Sequence, residues 1–228
     1  MIDKLSVENC TLCGSCINAC PAGAINFSKK YLDFEYPQID TSRCIKCNLC
    51  GNACPVLSYK YTPKHQQPVA LAGMSKNNEV RLNSSSGGIF YELAAQMLRD
   101  GGSVCGAVFD ENFHVRHIVS NNHDDILRMM GSKYAQSNMG YCFRTIKQKL
   151  DSGEKVLFSG CPCQVAGLRT FLSKQYDNLL LVELICHGIP SDHMLHTYIE
   201  MQQKRYKSKL KQLEFRNKKT VGTIAACV

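Results

Sequence analysis

Apolar residues recur with two different periods between residues 69 and 215. Short apolar runs bounded by turn-forming residues predict strands, and stretches with apolar residues every three or four positions predict helices. The predicted strands are VALAGMS (69–75), SVCGAVF (103–109), HVRHIVS (114–120), KVLFSG (155–160), LLLVELIC (179–186) and LKQLEF (210–215). The predicted helices are GGIFYELAAQMLRDG (87–101), YCFRTIKQKLDSG (141–153), QVAGLRTFLS (164–173) and HMLHTYIEMQQKRY (193–206).

Two of these helices have a predicted buried face. On the first helix this face contains Ile89, Phe90, Leu93, Ala94, Met97 and Leu98. On the last helix it contains Met194, Leu195, Tyr198, Ile199 and Met201. Strands that alternate with helices predict an α/β domain with a mostly parallel or mixed sheet. The strand at residues 179–186 is expected to be buried.

The first 57 residues carry a tandem cysteine repeat instead. Both copies have the spacing C-x2-C-x2-C-x3-C-P, and a shift of 34 positions maps Cys10 to Pro21 onto Cys44 to Pro55. This is the spacing of bacterial two-cluster ferredoxins, in which the fourth cysteine of each copy binds the other cluster. We therefore predict an α+β ferredoxin domain with two [4Fe–4S] clusters. The predicted ligands are Cys10, Cys13, Cys16 and Cys54 for cluster one, and Cys44, Cys47, Cys50 and Cys20 for cluster two.

Zinc is the alternative occupant of these cysteines. A structural zinc site uses four ligands from two separated C-x2-C pairs and needs neither a third cysteine nor a following proline. The eight ligands in a tandem repeat favour iron–sulfur clusters. A polar segment with two prolines, SYKYTPKHQQP (58–68), predicts a linker after the cluster domain.

Charge and composition bear on nucleic-acid binding, membrane insertion and cellular location. The 228-residue chain has a formal charge of +8, and residues 201–228 hold eight Lys or Arg against one acid. Only Tyr206 and Phe215 lie near this charge, so we read it as a solvated helix face and predict no nucleic-acid partner. The start of the chain does not resemble a signal peptide, and the run LLLVELIC is too short for a membrane span. With 14 cysteines, the chain fits a reducing cytoplasm in which clustered thiols hold metal.

Three turns rich in Gly or Ser lead into helices: SSSGG (84–88), SGCPCQ (159–164) and CHGIPS (186–191). Helix N-termini at the carboxyl ends of strands suit anionic cofactors, although Gly and Ser also simply cap helices. In the second turn, Cys161 is expected at the N-cap and Pro162 at the first helical position. Cys163 is expected in the first turn, where the helix dipole lowers a thiol pKa. The two cysteines are interpreted either as a reactive thiol or cofactor contact, or as a half-buried cysteine pair in a tight turn.

Five segments together resemble the coenzyme F420 hydrogenase/dehydrogenase beta-subunit family. They are SSSGGIFYELA, GSKYAQS, VLFSGCPCQVAGLRTFL, YDNLLLVELICHGIPS and LEFRNKK. The resemblance implies an oxidoreductase that binds FAD as well as iron–sulfur clusters. It also implies electron exchange between a one-electron carrier, such as a ferredoxin or redox partner protein, and coenzyme F420 or a related organic two-electron substrate. The flavin-binding residues that the resemblance suggests are Ser86, Gly87, Gly88, Lys133, Cys163, Gln164 and His187.

The resemblance also sets the expected domain organisation. Residues 1–57 form the ferredoxin-type domain, 58–68 the linker, 69–150 the N-terminal-like part of the beta subunit and 151–228 its C-terminal-like part. The family extends well beyond the FRNKK segment, so the sequence predicts a fragment or frameshifted product with an incomplete sheet. The alternative function is a non-catalytic electron-transfer subunit that docks a partner enzyme.

Overall fold

The computed structural model describes residues 1–58, 67–218 and 225–227. Most of the predicted linker, residues 59–66, lies outside the described residues. Among the residues that are described, no helix combines the length and the apolar character that a membrane span requires.

The N-terminal region consists of short helices around one β-hairpin. Its strands β1 and β2 are antiparallel neighbours. Two 3-10 turns at Ile2–Lys4 and Val7–Asn9 precede the regular elements. These elements are α1 (Ser15–Ala19), β1 (Ile25–Tyr31), β2 (Phe34–Ile39), α2 (Leu49–Asn52) and α3 (Pro55–Ser58). Helices α1 and α2 are brief because each cysteine loop makes only one helical turn before its proline.

The second region is an α/β structure. Its central sheet has the strand order β4-β3-β5-β6, in which β3 is antiparallel to β4 and parallel to β5, and β5 is parallel to β6. The predicted mixed sheet is therefore confirmed. The elements are α4 (Asn78–Leu82), α5 (Ile89–Arg99), β3 (Ser103–Phe109), β4 (Val115–Ser120), α6 (His123–Met129), α7 (Cys142–Asp151), β5 (Val156–Gly160), α8 (Pro162–Leu172), β6 (Leu179–Glu183), α9 (Asp192–Tyr206), β7 (Gln212–Glu214) and β8 (Ala225–Cys227).

Helices cover both faces of this sheet. On one face, Phe143 and Ile146 of α7 and Leu168 of α8 pack against Phe158 of β5. On the other face, Ala94 of α5 and residues of α6 pack against alternate strand residues, including Leu157. Neighbouring residues of β5 thus enter opposite cores, as the two-residue period of a strand requires.

Four expectations about this region are wrong. Ile89 does not belong to the buried face of α5, because it is 45% exposed at the start of the helix. The segment 69–75 is not a strand: Val69 and Leu71 are 81% and 90% exposed, and none of the described strands lies alongside to complete a hydrogen-bonded ladder. Strand β6 is not buried but half-exposed, because it is the edge strand of the described sheet. On α9, Leu195 and Ile199 are buried, whereas Met194 and Met201 are exposed, because the core contacts a narrower stripe than the apolar pattern suggests.

The two regions are packed directly against each other. Helix α1 contacts α7 and α8. The buried Ser15 Oγ lies 3.0 Å from the carbonyl oxygen of Gly167 in α8 and 2.7 Å from that of Ala53. Asn18 Nδ2 donates to the carbonyl oxygen of Gly140 at 2.8 Å. These buried polar contacts fix the cysteine loops relative to the sheet.

Candidate functional site

The two cysteine loops share an unusual backbone conformation. Leu12 and Gly14 in the first loop have positive φ values of 56° and 79°, and the corresponding Lys46 and Asn48 have values of 57° and 61°. Left-handed backbone at a non-glycine residue costs free energy, so it persists only where the surroundings impose it. The same turn at equivalent positions shows that both loops curl tightly around a centre.

A cavity of about 510 Å³ lies inside the first loop. Five cysteines line it: Cys10, Cys13, Cys16 and Cys54, the set predicted for cluster one, and Cys44. Cys54 comes from the second copy of the repeat, so the fourth thiol crosses over from the other loop. The cavity is also lined by apolar side chains, including Ile2 and Leu5.

A much smaller cavity lies at the second loop. Its cysteines are Cys20, Cys44, Cys47 and Cys50, the set predicted for cluster two. Cys47 is exposed, whereas Cys13 and Cys16 are buried. The second site is therefore nearer the surface than the first.

The chemistry of these thiols suits iron–sulfur clusters. Burial raises the pKa of Cys13 to about 12 and also raises that of Cys16, and neighbouring thiols add to both shifts. Backbone N–H groups of Leu12 and Ser15 oppose the shifts at Cys10 and Cys13, because a hydrogen bond favours the thiolate. Several buried thiols that lie close together are costly to ionise without a counter-charge. A cationic iron–sulfur core supplies that charge and deprotonates its cysteine ligands, and the backbone N–H donors stabilise the resulting thiolates.

Three further cysteines lie where β5 and β6 end. Cys161 is the N-cap of α8, Pro162 is its first residue, and the Cys161 N–H donates to Gln164 Oε1 at 2.9 Å, so the expected cap is present. Cys163 lies close enough to Cys13 to raise the pKa of the Cys13 thiol, and Cys186 lies close to Cys163. The expected lowering of the Cys163 pKa is wrong: burial, followed by the neighbouring Cys186 thiol, raises it and outweighs the helix terminus.

A second large cavity, of about 570 Å³, lies on the far side of the α/β region. Its wall includes Lys133, whose Nζ donates to the carbonyl oxygens of Met130 and Gly131 at 3.0 and 3.1 Å and lies 5.9 Å from the centre of the Phe109 ring. Burial, with a smaller contribution from the charge of Arg128, lowers the pKa of Lys133 to about 8. The cavity is also lined by Ser84, Ser85, Tyr91, Arg128, Phe215 and Arg216. Its size and its mixture of cationic, polar and aromatic groups suit an anionic aromatic cofactor.

The residues suggested for flavin binding do not all meet in this cavity. Lys133 lines it, but Ser86, Gly87, Gly88, Cys163, Gln164 and His187 do not. Gly87 and Gly88 are required by packing, because added Cβ atoms would lie 2.8 Å from the Gly73 carbonyl oxygen and 2.9 Å from Val80. Gln164 caps α8, and Cys163 lies beside the first cluster site. His187 is exposed near the end of β6.

Two residues that support the site were not identified from the sequence. Arg144 of α7 donates to the carbonyl oxygens of Asn18 at 2.7 Å and Ile17 at 3.2 Å, and also to that of Cys20. His117 of β4 is buried between Ser137 Oγ at 2.6 Å and the Ser159 carbonyl oxygen at 3.1 Å. The hydrogen bonds of Arg144 and His117 join residues at least 20 positions apart in sequence, so no local sequence pattern predicts them.

Comparisons with known proteins agree with this architecture. Residues 9–57 match the 4Fe-4S dicluster domain family. Residues 70–143 and 153–226 match the N-terminal and C-terminal parts of the coenzyme F420 hydrogenase/dehydrogenase beta subunit. No curated protein matches the chain.

One similar solved structure is that of the F420-reducing [NiFe] hydrogenase complex from Methanosarcina barkeri. The matched chain is 20% identical in sequence, with a TM-score of 0.49. The match covers 67% of this chain, which spans 57% of the length of that chain.

The family matches cover both parts of the α/β region, and the dicluster match covers both cysteine loops. The chain belongs to the coenzyme F420 hydrogenase/dehydrogenase beta-subunit family and carries a 4Fe-4S dicluster domain at its N-terminal end.

Proposed function

We propose that this chain is an iron–sulfur flavoprotein oxidoreductase. It exchanges electrons between a one-electron redox partner protein, such as a ferredoxin, and coenzyme F420 or a related organic two-electron substrate. The observation that carries the proposal is the Cys10–Cys13–Cys16–Cys54 cavity, which lies directly against α8 of the α/β region. When bound, the two [4Fe–4S] clusters supply one-electron transfer, and FAD supplies the conversion between one-electron and two-electron steps.

The exposure of the cysteines distinguishes an outer cluster site, near the surface, from an inner cluster site, next to the α/β region. Cys47 is exposed and is accompanied at the surface by Ile45 and Leu49. We assign the docking of the redox partner to this outer side. Cys13, by contrast, is buried against α8. Its burial excludes water from the inner cluster site and keeps that site on the side of the α/β region.

The 570 Å³ cavity is the proposed flavin site. Lys133 presents an ammonium group in a wall that also contains Arg128, and their charges favour an anionic cofactor. Tyr91 and Phe215 provide apolar faces for a planar ring system. Ser84 and Ser85 provide hydroxyl groups for polar groups of the cofactor.

The test starts with anaerobic purification of the full chain. We expect about eight iron and eight sulfide per chain, from two four-iron clusters. FAD released by heating should reach about one per chain. Cys13→Ser should lower the iron content, whereas Cys142→Ala, a half-buried cysteine outside both loops, should retain it. A chain that carries zinc instead of iron would overturn the cluster assignment.

The flavin part is tested separately. Lys133→Met should weaken FAD binding, and Lys204→Met, an exposed lysine on α9, should leave it unchanged. The purified protein should reduce or oxidise coenzyme F420 at a rate that depends on its FAD content. A protein with both clusters and no FAD after reconstitution would contradict the flavoprotein assignment and would favour a non-catalytic electron-transfer subunit.

A further inference from the structure

Three ligand-type side chains meet at a place that neither the clusters nor the proposed flavin site uses. They are His114, before β4, and Asp192 and His196, in the first turns of α9. One ligand atom from each lies within 4.8 Å of the others. We propose that these residues bind a divalent transition-metal cation of the zinc type.

The two elements that present the ligands are well anchored. Asp110 Oδ1 accepts from the backbone N–H of His114 at 2.9 Å, and the Asp110 N–H donates to the His114 carbonyl oxygen at 3.0 Å, which fixes the β3–β4 turn. Ser191 caps α9 by accepting from the N–H of Met194 at 3.2 Å. Asp192 and His196 are four residues apart, so they lie on the same face of the helix.

The distances suit a small cation. His114 Nδ1 lies 2.7 Å from Asp192 Oδ2, and His196 Nε2 lies 3.6 Å from the same oxygen. Ligands at about 2.0–2.1 Å from a tetrahedral zinc ion lie about 3.3 Å apart. The two observed separations bracket this value. Binding therefore requires His114 and Asp192 to separate by roughly half an ångström.

The buried Nε2 atom of His196 favours a bound metal ion over a simple ion pair with Asp192. Its Nε2 atom is buried and has no hydrogen-bond partner among the described residues. Buried polar atoms in folded proteins almost always have a partner. The hydrogen bond between His114 and Asp192 leaves His196 unsatisfied, whereas a cation between the three side chains satisfies it.

The ligand set selects the class of metal. Two imidazoles and one carboxylate suit zinc and neighbouring transition metals, whereas calcium and magnesium take oxygen ligands. The side chains of His114, Asp192 and His196 are 50%, 38% and 26% exposed, so solvent reaches the site. Three protein ligands and one water complete a four-coordinate zinc site.

The metal would join parts of the chain that are 78 residues apart. Leu195 and Ile199 of α9 pack with Leu213 and Phe215, which also line the 570 Å³ cavity. A cation that ties α9 to the β3–β4 turn would therefore stabilise the wall of that cavity. Its role is structural and is independent of the cluster cysteines.

The experiment uses the full chain with its clusters in place, so that the eight cluster cysteines do not compete for zinc. Zinc binding is measured by calorimetry on the wild type and on His196→Gln and Asp192→Asn. His193→Gln is the matched control, because His193 is an exposed histidine on the same turn of α9 and lies outside the group. We expect one zinc ion per wild-type or control chain, and a loss of affinity of about tenfold or more in the other two variants.

X-ray absorption at the zinc edge of the wild type gives an answer that does not depend on the folding of any variant. Only nitrogen and oxygen neighbours are expected. Sulfur neighbours, the absence of zinc binding by the cluster-loaded wild type, or equal affinity in a folded His196→Gln variant would each overturn the proposal.

Discussion

Cys13 of the first cysteine loop touches Gly167 of α8. A Cβ atom on Gly167 would lie 2.9 Å from Cys13 Sγ and 3.0 Å from Cys13 Cβ. No larger residue fits without moving the helix away from the loop. A predicted cluster ligand is thus in contact with the backbone of the α/β region, and the spacing of the two regions is set at this point.

Gly167→Ala should therefore separate α8 from the first loop. Alanine alone would favour the helix by about 1 kcal/mol, so a net loss of stability indicates the clash. We expect the free energy of unfolding to fall by about 1–3 kcal/mol and the iron content to decrease. Urea unfolding and iron analysis measure the two effects. Gly73→Ala is the control, since its methyl group would lie at an ordinary 3.4 Å from Ile89 Cδ1. An unchanged iron content in Gly167→Ala would contradict the expected link between packing and cluster binding.

Arg144→Lys should weaken the second cluster site. The guanidinium group contacts the carbonyl oxygens of Ile17, Asn18 and Cys20 at the end of α1, and one ammonium group cannot reach them all. We expect a loss of about 1.5–3 kcal/mol in the free energy of unfolding and faster loss of iron to a chelator. Arg99→Lys should change stability by less than about 0.5 kcal/mol, because within the described part of the chain Arg99 donates only to Gln96 on the surface. Equal chelation rates in the two variants would argue against a role for Arg144 in holding Cys20.

His117 should make the protein less stable as the pH falls. Burial lowers its pKa to about 4 in the folded protein, from an ordinary value of 6.5. With a pKa of about 4 the ring is neutral at pH 7, and since the Ser159 carbonyl oxygen can only accept, Nε2 carries the proton and Nδ1 accepts from Ser137 Oγ. Between pH 6.5 and 4 the unfolded chain binds the extra proton, so stability decreases by up to about 1.4 kcal/mol per pH unit.

The pH effect is measured by urea unfolding between pH 7 and 5 on the wild type, His117→Gln and the control His193→Gln. Only His117→Gln should show a reduced slope. The same slope in all three proteins would mean that other groups dominate the acid response.

Lys133 should make the protein more stable as the pH rises above 8. Its folded pKa is about 8 rather than 10.5, because burial and Arg128 disfavour the charge. Below pH 8, Lys133 is charged in the folded protein, and the cost of burying this charge fully reduces stability. Between pH 8 and 10.5 the unfolded chain binds more protons than the folded protein, so the cost disappears as the pH rises. Stability measured by urea unfolding should therefore rise across this range in the wild type and in Lys204→Met, and the rise should be smaller in Lys133→Met. Identical pH profiles would show that Lys133 stays charged through solvent access.

Local pattern was sufficient for most of the fold. The periods of the apolar residues located α5, α7, α8 and strands β3 to β6, and the spacing of cysteines located both loops. These elements can be predicted because each depends mainly on residues that are close to one another in sequence. The prediction of a strand at residues 69–75 is wrong because strand formation depends on a partner strand, and a local apolar run contains no information about that partner.

The remaining errors concern contacts over long distances in sequence. The proximity of His114 and Asp192, the Arg144 contacts and the burial of His117 depend on how helices pack on the sheet. The prediction of a lowered Cys163 pKa is wrong for the same reason, because the burial of Cys163 and the nearby Cys186 thiol both depend on packing between distant segments. The resemblance to the family suggests seven flavin-binding residues, and of that set only Lys133 lies in the wall of the large cavity.

Cys54 lines the cavity of the first loop and Cys20 that of the second, so each copy of the repeat places its last thiol at the other copy's cavity. Under the proposed ligand assignment, one copy alone would supply only three of the four thiolates that its cluster needs. Oxidation or mutation of one copy would then leave both metal centres incomplete.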